Sequence, residues 1–386
     1  MTPPIVIIGS GLAGYTLARE FRKLDRDTPL VILSRDAAGF YSKPMLSNAF
    51  SANRSAASLV MKPAEKMAVD LAATIRSHVE VAALHPARRV VELADGEEIR
   101  YRDLVLAPGA DPIRLPLGGN AADDVLSVND LDDFARFATR LHGAKRVAVL
   151  GGGLIGCEFA NDLLARGISP TVIDIARWPL GRLLPENAGQ WFRQRLEAAG
   201  VSFRLGVSAA TVSRHASGYR LALSDGSTLD ADVVLSAVGL RPRTALAAAA
   251  GLAVNRGVLT DRRLASSDPH IHALGDCAEV DGLTLPYVMP IMHQARALAA
   301  TLAGTPTAVS YPAMPVVVKT PSCPAVVCPP AIDAQGTWQI VASDDAGGGI
   351  EAQCLDANEN LLGFVLLGGA TARKQALAGR APATLA

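Results

Sequence analysis

Glycines supply the clearest chemical signal in this chain. The run Ile5-Val6-Ile7-Ile8-Gly9-Ser10-Gly11-Leu12-Ala13-Gly14 places β-branched residues ahead of a GxGxxG turn, and from Tyr15 to Lys23 the apolar Leu17, Ala18 and Phe21 have helical spacing. In that context Gly9 permits a tight turn, Gly11 lets backbone approach a pyrophosphate, and Gly14 lets helix and strand pack closely. The helix N-terminus then offers free N–H groups and a positive dipole end to the phosphates. The pattern recurs at Arg146-Val147-Ala148-Val149-Leu150-Gly151-Gly152-Gly153-Leu154-Ile155-Gly156, with a helix expected from about Cys157 to Ala165. Two such units predict two bound dinucleotides.

An acidic residue at the end of the following strand would hold a ribose hydroxyl. After the second turn, Thr171-Val172-Ile173 ends in Asp174, which suits a ribose 2′-hydroxyl and repels a 2′-phosphate. NADH is therefore favoured over NADPH, with Arg177 softening the preference. After the first turn, Leu30-Val31-Ile32-Leu33 ends in Ser34-Arg35-Asp36, so Asp36 either serves the ribose from a shifted position or is an exposed loop carboxylate. Further apolar strands end in glycine at Val105 to Gly109 and Val234 to Gly239, and His270 to Asp276 ends in Gly275-Asp276. A carboxylate there can accept from a polyhydroxyl chain such as a flavin's ribityl group. Pro290 then opens an Ala-rich helix through about Leu302, whose N-terminus suits electron density on a reduced ring.

These motifs sit in a chain of 386 residues, long enough for two to three domains. Lys+Arg and Asp+Glu balance at 37 each, which argues against nucleic acid as the main partner. No apolar stretch is long enough for a membrane span, and no basic segment precedes the first strand. Cys157, Cys277, Cys323, Cys328 and Cys354 are an odd number without a CxxC pair, so the expectation is a reducing cytoplasm. The CxxxxC of Cys323 and Cys328 lies among prolines that oppose a helix. Histidines 78, 85, 142, 215, 270, 272 and 293 form no metal pattern, and the alternation of His270 and His272 suggests one exposed strand face.

With these residues in view, the whole chain resembles the rubredoxin–NAD reductases among the FAD-dependent pyridine nucleotide oxidoreductases. Both glycine turns match, as do Tyr41-Ser42-Lys43-Pro44-Met45-Leu46-Ser47, Gly156-Cys157-Glu158-Phe159-Ala160, Ala237-Val238-Gly239-Leu240-Arg241-Pro242, Gly275-Asp276-Cys277 and Val318-Lys319-Thr320-Pro321. The resemblance implies FAD in the first domain, NADH in the second, and electrons passed to rubredoxin or a similar one-electron iron protein. It also implies FAD contacts from Gly9, Gly11, Leu12, Ala13, Gly14, Asp36, Lys43, Pro44, Gly109, Gly275, Asp276, Met292 and Lys319. NAD contacts would come from Gly151, Gly153, Leu154, Ile155, Gly156, Glu158, Asp174 and Gly239. Two departures stand out: Ser266 replaces a threonine ahead of Gly275-Asp276, and Pro108 before Gly109 removes a hydroxyl and an N–H, leaving that turn's hydrogen bonding open.

Three residues carry the expected chemistry. Lys43 stands where disulfide-reducing relatives have a flavin-facing thiol, so a dithiol relay is not expected; its ammonium would lie near the flavin N5/O4 edge and favour an anionic reduced ring. The bland alternative is a loop lysine. Glu158, expected on the first turn of its helix, either bonds the nicotinamide carboxamide, pairs with Lys319, or only favours the helix N-terminus. Phe40 to Lys66 holds Lys43, Arg54, Lys62 and Lys66 against Glu65, either a steering patch for an acidic partner or a solvated face.

The expected fold class is α/β, with two Rossmann-like domains, the NAD domain inserted in the FAD domain, and a small α+β C-terminal domain. The boundaries run 1–111 and 239–310 for the FAD domain, 112–238 for the NAD domain and 311–386 for the last, which holds the run Gly347-Gly348-Gly349. Ferredoxin or flavorubredoxin reductases, and NADH-responsive flavoproteins that regulate partner binding, stay open as alternatives. An NADH oxidase or peroxidase would need a flavin-proximal thiol, and Tyr41 to Ser47 has none.

Overall fold

A computed structural model describes residues 3–344 and 348–386. Gly347 of the expected glycine run lies outside the described residues, and strand Gly349–Leu355 begins at the last glycine of that run.

Ile5–Ile8 is the central strand of a five-stranded parallel sheet, ordered Ile271–Ala273, Asp103–Leu106, Ile5–Ile8, Leu30–Leu33, Thr74–Arg76. All four of its side chains are buried, as expected of a strand covered on both faces. A second sheet, also parallel, runs Ser202–Leu205, Ser169–Asp174, Arg146–Leu150, Val233–Ser236. Each has its glycine turn at the C-terminal end of its first strand, where α/β sheets leave a crevice for ligands. Chain from both sides of the second sheet joins in a short antiparallel ribbon, Ala110–Pro112 against Leu240–Pro242. Strand Ile271–Ala273 then returns to the first sheet.

Three helices matter for the site: α1 (Leu12–Leu24), α2 (Leu154–Leu164) and α3 (Val288–Leu302). Both α1 and α2 begin three residues earlier than the apolar spacing suggests, with Gly11 and Gly153 as extended N-caps. The third glycine of each turn therefore lies inside the first helical turn rather than ahead of it. In consequence Glu158 is the fifth residue of α2, past the first turn, which removes the reading in which it merely favours the helix N-terminus. Pro290 is the third residue of α3, where a missing N–H costs no intrahelical bond.

The last unit is a five-stranded antiparallel sheet ordered Val316–Val318, Ala325–Cys328, Leu361–Gly368, Gly349–Leu355, Thr337–Asp344, with a short helix at Lys374–Ala378. Val318, Ala325, Val327, Val365 and Leu367 pack into one core with Val147, Phe159 and Phe192 of the second sheet and its helices. The terminal unit is thus joined to its neighbour by a shared apolar interior.

Candidate active site

The two glycine turns have the same construction. Gly9 (φ 117°) and Gly151 (φ 105°) take a conformation that L side chains avoid, and a Cβ on Gly151 would come within 2.6 Å of the Ala237 carbonyl oxygen. Cβ atoms on Gly14 and Gly156 would overlap the carbonyl oxygens of Gly9 and Gly151. At Gly11 and Gly153, however, nothing lies within 4 Å of a Cβ. Neither helix has a side-chain cap, so first-turn N–H groups face this open space. Such a cradle fits a pyrophosphate, with Leu12 and Ala13, or Leu154 and Ile155, supplying backbone on its floor.

At the first turn, the hydroxyls of Ser10 and Ser34 lie 2.6 Å apart, and Ser34 donates to Asp36 Oδ1 at 2.7 Å. The Ala38 N–H donates to the same oxygen at 2.8 Å. Asp36 is exposed but oriented, linked through Ser34 to the glycine turn. At the second, Asp174 accepts from the Gly152 N–H through Oδ2 and from the Ala176 N–H through Oδ1 at 2.7 Å. Its carboxylate is therefore fixed at the turn, with lone pairs left for a ribose hydroxyl. Gly239 (φ 120°) accepts from the Ile113 N–H at 3.0 Å.

Gly275 brings the end of the first sheet onto α1. A Cβ there would come within 2.8 Å of Ala13 Cβ; its N–H donates to Gln294 Oε1 of α3 at 2.7 Å, and Gln294 donates to Tyr311 Oη at 2.8 Å. Asp276 and half-buried Met292 are thereby carried to the same end of the sheet as the first turn. Half-buried Lys43 opens the 3₁₀ turn Lys43–Asn48, with Pro44 behind it. Burial holds its ammonium below the usual lysine range while the nearby Asp276 carboxylate works against that shift. Burial raises Asp276 in turn, opposed by Lys43 and Arg243. Lys43 is thus not a free loop lysine.

Arg243 answers the question posed by Pro108. It donates through Nη1 to the Pro108 carbonyl at 2.5 Å, through Nε to Asp111 at 2.7 Å, and through its own N–H to the Gly109 carbonyl at 3.0 Å. A side chain that follows the second strand of the interdomain ribbon closes the turn in place of the missing hydroxyl.

Glu158 is 0% exposed and gathers three parts of the chain. Ser47 Oγ donates to its Oε2 at 2.5 Å, the Lys319 N–H donates to Oε1 at 2.8 Å, and Lys319 Nζ donates to Oε2 and, at 3.2 Å, to Ser47 Oγ. On the same helix Asn161 Oδ1 accepts from Ser322 N–H at 3.1 Å, and Asp162 accepts from Phe50 and Ser51 N–H at 2.9 and 2.8 Å. Ser47, Asn161, Asp162 and Arg243 escaped sequence reasoning; only Ser47, inside the Ser-Lys-Pro run, left a local signal.

Other expectations change. Charges of the basic run are neutralised: Lys62 and Lys66 both pair with Asp70, at 2.6 and 3.6 Å, and Lys43 is half-buried. His272 is 4% exposed, because strand Ile271–Ala273 is covered on both faces, so it does not share an exposed face with His270. All five cysteines are buried and free. Burial pushes the thiols of Cys277 and Cys323 up to about 12 and that of Cys328 to about 11, leaving them protonated and inert. Among the described residues no group of His, Cys, Asp and Glu could hold a metal, and no helix is long and apolar enough to cross a membrane.

The sequence model of the pyridine nucleotide-disulphide oxidoreductases matches residues 3–301, and that of the rubredoxin binding C-terminal domain matches residues 308–381. The chain is 48% identical to a rubredoxin-NAD(+) reductase of Alcanivorax borkumensis, over 99% of both chains. It is 49% identical to one of Acinetobacter baylyi, over 97% of this chain and 96% of that one. A solved ferredoxin reductase from Rhodopseudomonas palustris superposes with a TM-score of 0.88 at 29% identity, over 99% of this chain and 96% of that one.

Proposed function

The chain belongs to the pyridine nucleotide-disulphide oxidoreductase family, and on that premise we propose that it is an NADH-dependent flavoprotein reductase that delivers electrons to rubredoxin. One observation carries the reading. The helix behind the second glycine turn is bonded through Glu158 both to the segment that carries Lys43 and to Lys319, inside the region matched by the rubredoxin binding domain. Donor site, flavin edge and acceptor-binding unit meet at one buried carboxylate.

FAD, when bound, supplies the conversion of a two-electron hydride donor into a source of single electrons. The open first turn and the N-terminus of α1 would hold its pyrophosphate, Asp36 would take the ribose, and Asp276 would accept from the ribityl hydroxyls. The open second turn and α2 hold NADH, and Asp174 takes the adenosine ribose, favouring NADH over NADPH. Lys43 would place positive charge beside the ring edge, where it would favour negative charge on the reduced ring. With FAD bound, NADH would give up a hydride and leave as NAD⁺, and the two electrons would go one at a time to two rubredoxins, with the hydride's proton released to solvent. The described site contains no ionised thiol to divert it.

The division of the chain at 1–111, 112–238, 239–310 and 311–386 is supported by the ribbon joining residues 110–112 to 240–242 and by the return of strand 271–273 to the first sheet. A cytoplasmic setting is supported by five unpaired cysteines. The test is anaerobic stopped-flow with purified, FAD-loaded protein: NADH reduces the flavin faster than NADPH, and rubredoxin reoxidises it faster than ferredoxin. Slow reduction by both coenzymes, or a long-lived reduced complex indifferent to rubredoxin, would contradict it.

A further inference from the structure

Asp162 lies one helical turn beyond Glu158 on α2 and is 2% exposed. Its two oxygens accept main-chain N–H groups from a segment more than a hundred residues away in sequence, Phe50 at Oδ2 and Ser51 at Oδ1. A buried carboxylate is costly unless such bonds offset its desolvation, and burial still raises this one above the usual range. The packing around it is consistent: Phe50 stacks on Phe134 with ring centroids 5.1 Å apart, and the Arg166 guanidinium sits 5.0 Å over the Phe50 ring. Those amides follow directly on the turn Lys43–Asn48. The helix that carries Asp162 starts at the dinucleotide turn, so one rigid element spans both halves of the reaction.

We propose that Asp162 is a positioning residue for hydride transfer: it clamps the flavin-edge segment 43–51 onto the helix that binds NADH, so that the nicotinamide and the Lys43 side of the site keep one relative orientation. The inference rests on the NADH-to-flavin reading above. Orientation is worth much here, because reacting atoms must approach within about 3–3.5 Å and a 1 Å misplacement costs about 100-fold. Glu158 reaches this segment through one side chain, Ser47; Asp162 holds its backbone.

Asp162→Asn keeps the shape, accepts one amide and turns its own NH₂ against the other. Asp162→Ala removes both acceptors. In the FAD-loaded proteins, stopped-flow reduction gives the limiting rate and the NADH dissociation constant, the long-wavelength charge-transfer band reports nicotinamide stacking, and hydrogen exchange reports the amides of residues 50 and 51. The inference expects the limiting rate to fall at least 10-fold in Asp162→Asn, with a weakened band, faster exchange at both amides, and NADH affinity within threefold of the parent. If Asp162→Ala fails to hold flavin, the Asn variant decides. Faster exchange with unchanged rate and band would show a merely structural role and overturn the inference, as would a change in NADH affinity alone. A parent protein that NADH does not reduce would instead overturn the functional reading, and the inference with it.

Discussion

Lys43 and Glu158 divide the work at the site between charge and position. Lys43→Met removes the positive charge beside the ring edge and should slow flavin reduction about tenfold, equivalent to about 1.4 kcal/mol of transition-state stabilisation. Because burial lowers its folded-state pKa, the ammonium is present below that value and lost above it. Flavin reduction should therefore decline as pH rises, at a pH below the ordinary lysine value of about 10.4, and the Met variant should lack this limb of the profile. The linkage has the opposite sign for stability, since the unfolded chain binds more protons between the two values, so Lys43 contributes a gain in stability as pH rises through that window. Glu158 is a different case. Lys319→Met would leave a fully buried carboxylate with only Ser47 Oγ and the Lys319 N–H, at a cost of about 3–5 kcal/mol in a denaturant titration. Adding Glu158→Gln should recover most of that loss, and additive single effects would show that the pair is not coupled. The glycines and Asp174 were legible in the sequence because their types are forced by backbone conformation and strand ends. Asp162 and Asn161 were not, because their partners are main-chain amides, which any residue supplies, 111 and 161 positions away.

Helices α1 and α2 and their turns are built alike yet serve different ligands, which separates their failure modes. Gly11 and Gly153 face open space, so a side chain there meets ligand and not protein. Gly11→Val should yield a folded protein with little flavin, read from the flavin-to-protein absorbance ratio. Gly153→Val should retain flavin but raise the NADH dissociation constant at least tenfold. Loss of flavin from the Gly153 variant would show that the two turns are not assigned as described. Gly14→Ala and Gly156→Ala should instead lower the melting temperature, since the added methyl overlaps a backbone carbonyl. Helix existence was legible from spacing, whereas helix starts were three residues off because the final glycine of each turn is helical. The basic run between Phe40 and Lys66 was left open between a steering patch and a solvated face for a related reason: the carboxylate that pairs with Lys62 and Lys66, Asp70, lies one helical turn beyond Lys66.

At the scale of the molecule, the second sheet is built from chain lying between the last two strands, in sequence, of the first sheet, and the doubled glycine motif anticipated two such parallel sheets. The C-terminal unit was legible only as a change in composition; that it shares an apolar core with the second sheet, and reaches the site through Lys319, depends on contacts no local pattern encodes. Because Lys62 and Lys66 are already paired, Lys62→Ala together with Lys66→Ala should change the second-order rate with rubredoxin less than twofold at low salt. A large, salt-sensitive loss would restore the steering role of that face. The central claim is that this chain turns NADH into single electrons for rubredoxin. It is tested most directly by reducing the FAD-loaded protein with one equivalent of NADH without oxygen, then mixing it with oxidised rubredoxin. Fast flavin reoxidation with two rubredoxins reduced per flavin is the predicted result, and a reduced flavin that persists in the presence of rubredoxin would contradict it.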